Sequence, residues 1–295
     1  MRILVLGSSG FLGRLLVDEL RRGGHAVEGW SRSAADRPAE GSRRVDLAGD
    51  APLPIPAAAW DAAVLLAGPS VPARFSAAVE GTATLRIAER ALGHLARHAE
   101  GARVLVVSSA HVLAPSAEPL AEEGRIAPAG DYGAAKAAVE ERARQYAGEL
   151  DIVVARLFGS LGPGLPRGLL VPDLLERLLR AEPLVELAGP DGLRDLTDGR
   201  DVARALRALL ETRPPGEPTI HVGSGRAIRL SELADRLRHA LGSTSRVEFA
   251  PGTSASWIAD AARLRSATGW TPLHDLEESI AWTARETALA SRGTP

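Results

Sequence analysis

Tyr132 and Lys136 stand four residues apart in the stretch DYGAAKAAVEERARQ, residues 131–145. Lys136 is the single lysine in a chain of 295 residues that otherwise carries its positive charge on arginine, and Tyr132 is one of only two tyrosines. At i and i+4 of a helix both side chains leave the same face. A phenol is a poor acid or base at neutral pH, and a cation held beside it favours phenolate and lowers its pKa. A compact ammonium can do this while also bonding the ribose hydroxyls of a nicotinamide nucleotide, which the larger guanidinium fork fits less well. The pair therefore offers proton transfer at an oxygen during hydride transfer.

Other residues fit the same chemistry. Ser109 ends the apolar run RVLVVSS (103–109), where its hydroxyl could bind a carbonyl oxygen and steady developing charge. Ser108 is its rival. His111, two residues on, is either a substrate-binding or acid–base group or a structural histidine.

Gly7-Ser8-Ser9-Gly10-Phe11-Leu12-Gly13 follows the apolar run RILVLG and opens the helical stretch FLGRLLVDELRR. Glycines permit a tight turn and let backbone amides approach a pyrophosphate, while the helix start offers unpaired N–H groups and the positive end of a dipole. Gly7, Ser9, Gly10, Phe11, Leu12 and Gly13 are thus candidate cofactor contacts. At the end of the second apolar run, where a carboxylate would hold a ribose 2′-hydroxyl, the sequence has Ser31 and Arg32. A hydroxyl and a guanidinium suit a 2′-phosphate, so NADP is expected and NAD is possible; the alternative reading is a solvated Arg32, since Glu28 lies nearby and the register can be read differently. Asp46 ends the third run, beside Leu47, and could accept a hydrogen bond from adenine or cap a turn.

These residues need a scaffold. Apolar runs at 2–7, 26–31, 43–47, 62–68, 103–109, 151–158 and 219–224 read as buried parallel strands. The segments between them, including residues 75–99 and 131–150, repeat apolar residues at helical spacing. Alternating strand and helix gives an α/β fold, a Rossmann-type doubly wound parallel sheet with ligands at the carboxyl ends of the strands. After Phe158 the turns GSLGPGLPRG and GPDGLRD break this rhythm. The expected division is a dinucleotide-binding domain of residues 1–160 plus about 197–225, and a smaller discontinuous substrate lobe of 161–196 and 226–295.

Apolar residues make up 45% and charged residues 24%, with a formal net charge of −2, which suits a globular protein and provides no basic footprint for nucleic acid. With no cysteine there is neither a disulfide nor a thiolate metal site, and no metal is called for. No stretch reaches the length of a membrane span, and the first residues run into a glycine turn without a signal-peptide core, so a cytoplasmic location is expected.

With these motifs in hand the chain resembles the extended short-chain dehydrogenases/reductases, in particular the NAD(P)-dependent epimerase/dehydratase family that acts on nucleotide sugars. Leu66-Ala67-Gly68 is similar to the family's stretch after the fourth strand that lines the cofactor, and Val79-Glu80-Gly81-Thr82 to most of its NVxGT motif. Arg156-Leu157-Phe158-Gly159-Ser160-Leu161-Gly162-Pro163-Gly164 resembles RxFNxxGPG, Gly192-Leu193-Arg194-Asp195 with Asp201-Val202 resembles RDF…DV, and Gly269-Trp270-Thr271-Pro272 resembles GWxP. Ala78 and Gly159 replace two family asparagines, and Ala110 and His111 stand where dehydratases carry an acidic pair, which argues against a dehydratase.

The resemblance implies an oxidoreductase with Ser109, Tyr132 and Lys136 as catalytic residues. Its substrate is a small molecule, expected to be a nucleotide-linked 4-keto-6-deoxysugar. Ser70, His111, Gly159, Arg167 and Arg194 would contact it, with Arg194 on the diphosphate unless it pairs with a carboxylate such as Asp198. A nucleotide-sugar epimerase and a non-catalytic NADP sensor remain the alternatives. A homodimer through the helices at 75–98 and 131–149 is a family expectation.

Overall fold

The computed structural model describes residues 1–32, 41–212, 219–252 and 254–292; residues 33–40, 213–218, 253 and 293–295, which fall within the ranges assigned above, lie outside the described residues. The strands are β1 (Arg2–Leu6), β2 (Ala26–Ser31), β3 (Ser42–Arg44), β4 (Ala62–Leu65), β5 (Arg103–Ser109), β6 (Asp151–Leu157), β7 (Gly159–Leu161), β8 (Leu184–Pro190), β9 (Leu193–Asp198), β10 (Thr219–Val222), β11 (Ala227–Arg229) and β12 (Arg246–Ala250). The helices are α1 (Phe11–Arg22), α2 (Thr82–His98), α3 (Gly130–Arg144), α4 (Leu170–Leu179), α5 (Gly199–Glu211), α6 (Leu230–Leu241), α7 (Ala262–Thr268) and α8 (Leu276–Arg292).

Seven strands form one sheet in the order β10-β6-β5-β4-β1-β2-β3, every pairing parallel. The continuous apolar runs are explained by burial on both sides. Successive residues of a strand face opposite ways, so Leu4 and Leu6 pack with Leu92 of α2 and Val139 of α3, while Ile3 and Val5 pack with Leu16 of α1 and Leu206 of α5. Strand order reverses between β1 and β4, and such a switch point opens a crevice at the carboxyl ends of the strands.

Two further sheets lie beyond this one: β11-β9-β7, and the pair β12-β8. A separate apolar cluster joins them to α4, α6 and α8 through Leu174, Leu233 and Ile280. Leu264 and Trp270, from the stretch assigned to the lobe on sequence, pack instead with α1 and α5 against the large sheet.

Two helices differ from the periodicity. The stretch from residue 75 begins with a π-turn at Ala77–Gly81 before α2, and the side chain of Glu80 accepts from the Ser76 N–H at 3.0 Å at its start. Helix α3 stops at Arg144 because Tyr146 and Ala147 turn back to the carbonyls of Ala143 and Arg144, an i→i−3 pattern tighter than an α-helix.

Candidate active site

The glycine loop leaves β1 and enters α1 with little room to spare. Gly7 adopts φ +96° against the Ala67 backbone, and a β-carbon on Gly13 would lie 2.1 Å from the Gly7 carbonyl oxygen, so the helix can cross the loop only because Gly13 lacks a side chain. Gly10 caps α1 in an extended conformation with no side-chain hydrogen bond, and the first turn holds no acidic residue. The amides of Phe11, Leu12 and Gly13 have no partner within the helix. This is a cradle for an anion such as a dinucleotide pyrophosphate, and it opens into a cavity of about 630 Å³. Leu66, Gly68 and Ser70 line the same cavity beyond β4. Arg14, which sequence reasoning passed over, lines it too and fastens the loop by donating to the Ser9 carbonyl at 2.7 Å.

Ser109, Tyr132 and Lys136 come together in this cavity, at the end of β5 and on the first turns of α3. The Ser109 hydroxyl adjoins the Tyr132 phenol closely enough to lower its pKa, and the Lys136 Nζ lies 5.9 Å from the centre of the phenol ring. That ammonium donates to the Val107 carbonyl at 3.2 Å; with three N–H donors it keeps others for a ligand. Burial pushes the phenol above its usual pKa and the Ser109 hydroxyl offsets part of this. The sequence reading expected the lysine to bring the phenol down; burial raises it instead. Burial also lowers Lys136, to about 8, against the pull of the Glu140 charge.

The two adjacent serines part company here. Ser108 points the other way along the strand and donates to Glu140 Oε1 at 2.6 Å. Glu140 also takes both arms of Arg156, at 2.9 and 2.8 Å, in a fully buried pair that ties α3 to β6. Ser108 is thus engaged by a structural network and Ser109 faces the cavity.

On the substrate side, His111 Nδ1 is 3.1 Å from Ser109 Oγ, and its ring stacks on Trp257 at 4.8 Å between centroids. Burial, then the charge of Arg194, lowers the His111 pKa, so the imidazole is neutral near pH 7. Arg194 also lies over the Trp257 ring, 5.7 Å from its centroid, and donates to the carbonyls of Ala255 and Leu193 at 2.6 and 2.8 Å. Asp198, weighed on sequence as its partner, is held instead by both arms of Arg200, at 2.9 and 2.8 Å. Among the described residues no carboxylate bonds Arg194, which leaves its charge for an anion in the cavity it lines. Trp257 gave no periodic or motif signal, being a lone aromatic in an irregular segment.

Gly159 lines the cavity where β7 meets β9, and a β-carbon there would lie 2.6 Å from the Asp195 carbonyl oxygen; this backbone approach bars the family asparagine. Much of the surrounding wall is apolar, including Leu165, Leu169, Leu196 and Leu233. Arg167 does not reach this cavity; it lies on an adjoining surface groove, exposed, 3.4 Å from Glu176.

The adenosine-side candidates lie at the ends of β2 and β3. Ser31 pairs across the sheet with Arg44, whose Nε donates to the Arg32 carbonyl at 3.3 Å, so two guanidinium-bearing residues adjoin. Glu28 is turned into the protein, accepting from the Trp30 and Trp60 indoles at 2.9 and 3.2 Å and pairing with Arg43. Asp46 accepts from the Ala48 N–H at 3.0 Å, capping a turn, and the Leu47 side chain is buried in the core. Ala67 packs against that same core from β4's exit.

Residues 3–223 match the NAD dependent epimerase/dehydratase family. The chain is 30% identical to dTDP-6-deoxy-L-talose 4-dehydrogenase (NAD(P)(+)) of Kitasatospora kifunensis, over 97% of this chain and 96% of that one. It is 29% identical to UDP-glucose 4-epimerase of Mycolicibacterium smegmatis, over 96% of this chain and 97% of that one. The solved structure of MoeE5 in complex with UDP-glucose and NAD is similar with a TM-score of 0.87 at 27% identity, over 99% of this chain and all of the other. Among the described residues no helix is long and apolar enough to cross a membrane. The family match over most of the chain, joined to a glycine cradle and a Ser109-Tyr132-Lys136 cluster in one cavity, identifies the chain as an NAD(P)-dependent enzyme of the NAD dependent epimerase/dehydratase family.

Proposed function

We propose that the chain reduces the ketone of a nucleotide-linked 4-keto-6-deoxysugar with NADPH. The observation that carries this reading is the placing of the phenol: Tyr132 lines the cavity together with Ser109 and Lys136, half-buried, and desolvation keeps it towards its protonated form. A phenol that rests protonated is ready to give a proton to an oxygen that is gaining charge, whereas an enzyme that begins by oxidising an alcohol needs phenolate first. A bound nicotinamide dinucleotide would supply the hydride. The loop amides of Phe11, Leu12 and Gly13 would hold its pyrophosphate, the Lys136 ammonium its nicotinamide ribose, and Arg32 its 2′-phosphate. Ser109 binds the carbonyl oxygen, and Tyr132 donates the proton to it.

The substrate assignment rests on two features. Arg194 lacks a carboxylate partner among the described residues and suits a diphosphate. The leucine-rich wall suits a deoxygenated sugar carbon, because a hydroxyl buried against it would forfeit its hydrogen bonds. The relative from K. kifunensis, named for oxidation at C4 of a dTDP-6-deoxysugar, supports the same substrate class.

Epimerisation is the second reading, favoured by the M. smegmatis relative at nearly equal identity. Incubating the purified chain with NADPH and a panel of nucleoside-diphosphate 4-keto-6-deoxyhexoses, and in parallel with UDP-glucose and NAD, separates the two. Stoichiometric NADPH consumption is the expected result; sugar interconversion without net consumption shows the epimerase, and neither outcome is compatible with a mere sensor.

A further inference from the structure

Ser109 has more partners than its single proton can serve. The main-chain N–H of His111 donates to its Oγ at 3.2 Å, capping the short turn Ala110–Val112. The same oxygen lies 3.1 Å from His111 Nδ1 and adjoins the Tyr132 phenol, whose pKa it lowers. A serine hydroxyl has one proton and two lone pairs, and the main-chain N–H takes one lone pair. Two wirings remain. If Nδ1 is a bare lone pair it takes the serine proton, and the free serine lone pair then draws the Tyr132 proton away from the substrate. If Nδ1 carries hydrogen it fills the second lone pair, and Ser109 must donate outward.

We propose that His111 is a positioning residue whose Nδ1–H fixes the direction His111 → Ser109, leaving the serine proton and the phenolic proton of Tyr132 both to point at the substrate oxygen. This rests on Tyr132 being the proton donor. The geometry holds the three in register. The His111 ring is clamped between Trp257, stacked at an interplanar angle of 24°, and the Tyr132 ring, edge-on at 5.7 Å. Its own backbone is pinned to the start of α3: the Ala129 N–H donates to the His111 carbonyl at 2.8 Å, and only a glycine at 133 lets the helix come so near, since a β-carbon there would lie 2.3 Å from that oxygen. Because burial and Arg194 keep the imidazole neutral, it carries a single N–H, and which nitrogen holds it decides the wiring.

The direct test is the tautomer of His111 in the full-length protein labelled with ¹⁵N-histidine, read from long-range ¹H–¹⁵N correlations and assigned by their loss in His111→Asn. Hydrogen on Nδ1 is expected; hydrogen on Nε2 overturns the proposal. Rates of hydride transfer give an independent test. His111→Ala should slow transfer about tenfold, the worth of one hydrogen bond, and His111→Asn, which returns an N–H donor near the Nδ1 position, should restore most of it. In a Ser109→Ala background His111→Ala should cost nothing more, since its influence passes through that hydroxyl. Additive losses, or an Asn variant no faster than Ala, overturn the proposal. If instead Tyr132→Phe leaves the rate intact, the reductase reading fails whatever the tautomer; a collapsed Tyr132→Phe with additive His111 and Ser109 losses refutes only the positioning role.

Discussion

The Lys136 Nζ donates to the main-chain carbonyl of Val107 at 3.2 Å, so the chain's one lysine is fastened to the strand that presents Ser109. A point charge with three rotatable donors can bond that carbonyl and still face the cavity; a planar guanidinium presents its donors in a fixed fork. Lys136→Arg should keep the positive charge and the fold yet lower turnover by at least tenfold, an order of magnitude set by one misplaced hydrogen-bond donor. Steady-state kinetics alongside a thermal melt tests this, and undiminished turnover would show that charge alone suffices.

Lys136 titrates at about 8 in the folded chain, below its ordinary 10.5. Since the folded value is the lower, the unfolded chain holds this proton from about pH 8 to 10.5 while the folded chain has lost it. The penalty for burying the ammonium is therefore fully present below about 8 and is relieved as pH rises through that window. A dinucleotide ribose bonded by the ammonium favours the charged form, so binding at a pH slightly above 8 should take up protons. Calorimetry in two buffers of unlike ionisation heat should give different binding enthalpies there and equal ones near pH 6. Lys136→Met should abolish the difference.

Arg32→Glu should shift the ratio of kcat/KM for NADPH over NADH towards NADH by about ten- to a hundredfold, the worth of one charge-assisted hydrogen bond. Arg44, beside it across β3, should account for part of any preference that survives, so Arg44→Ser in the Arg32→Glu background should lower the ratio further. A ratio unmoved by either change would place the 2′ position elsewhere.

Arg194→Met removes the half-buried cation without leaving a carboxylate stranded. If it meets a diphosphate, KM for the sugar nucleotide should rise by about ten- to a hundredfold with kcat little changed, the pattern of lost uniform binding. A fall in kcat alone would tie Arg194 to the reacting centre through His111 instead.

Glu140→Gln breaks a fully buried pair with Arg156 and weakens the acceptor of Ser108. Removing one partner of such a pair costs about 3–5 kcal/mol. Denaturant unfolding should show a loss of that order, and a loss below about 1 kcal/mol would mean that water or the Glu122 carbonyl, which already accepts from Arg156, compensates.

The sequence revealed what is local. Tyr132 and Lys136 share one helix face by spacing alone, and the strands announced themselves because burial on both sides leaves no polar alternation. What escaped depends on contacts between distant residues. Ser108 and Ser109 are chemically alike, and only the strand's pleat, with Glu140 waiting 32 residues away, separates them. Asp198 looked available to Arg194 and is taken by Arg200, two residues along. Gly159 read as a lost asparagine, although the reason it carries no side chain is a carbonyl on another strand. Trp257 joins His111 to Arg194 from a segment without any pattern.

The Trp270 indole N–H donates to the Asp201 carbonyl at 3.0 Å, and the buried Asp201 carboxylate accepts the N–H groups of Leu273 and His274. Trp270 also fills the layer between α1, α5 and the first strands. A chain emerging from the ribosome therefore makes all seven strands of the large sheet long before it owns the side chain that seals their outer layer. Until residues 270–274 arrive, that layer should remain sticky and recruit holdase chaperones, and arrested nascent chains ending just before and just after this stretch should differ sharply in protease resistance.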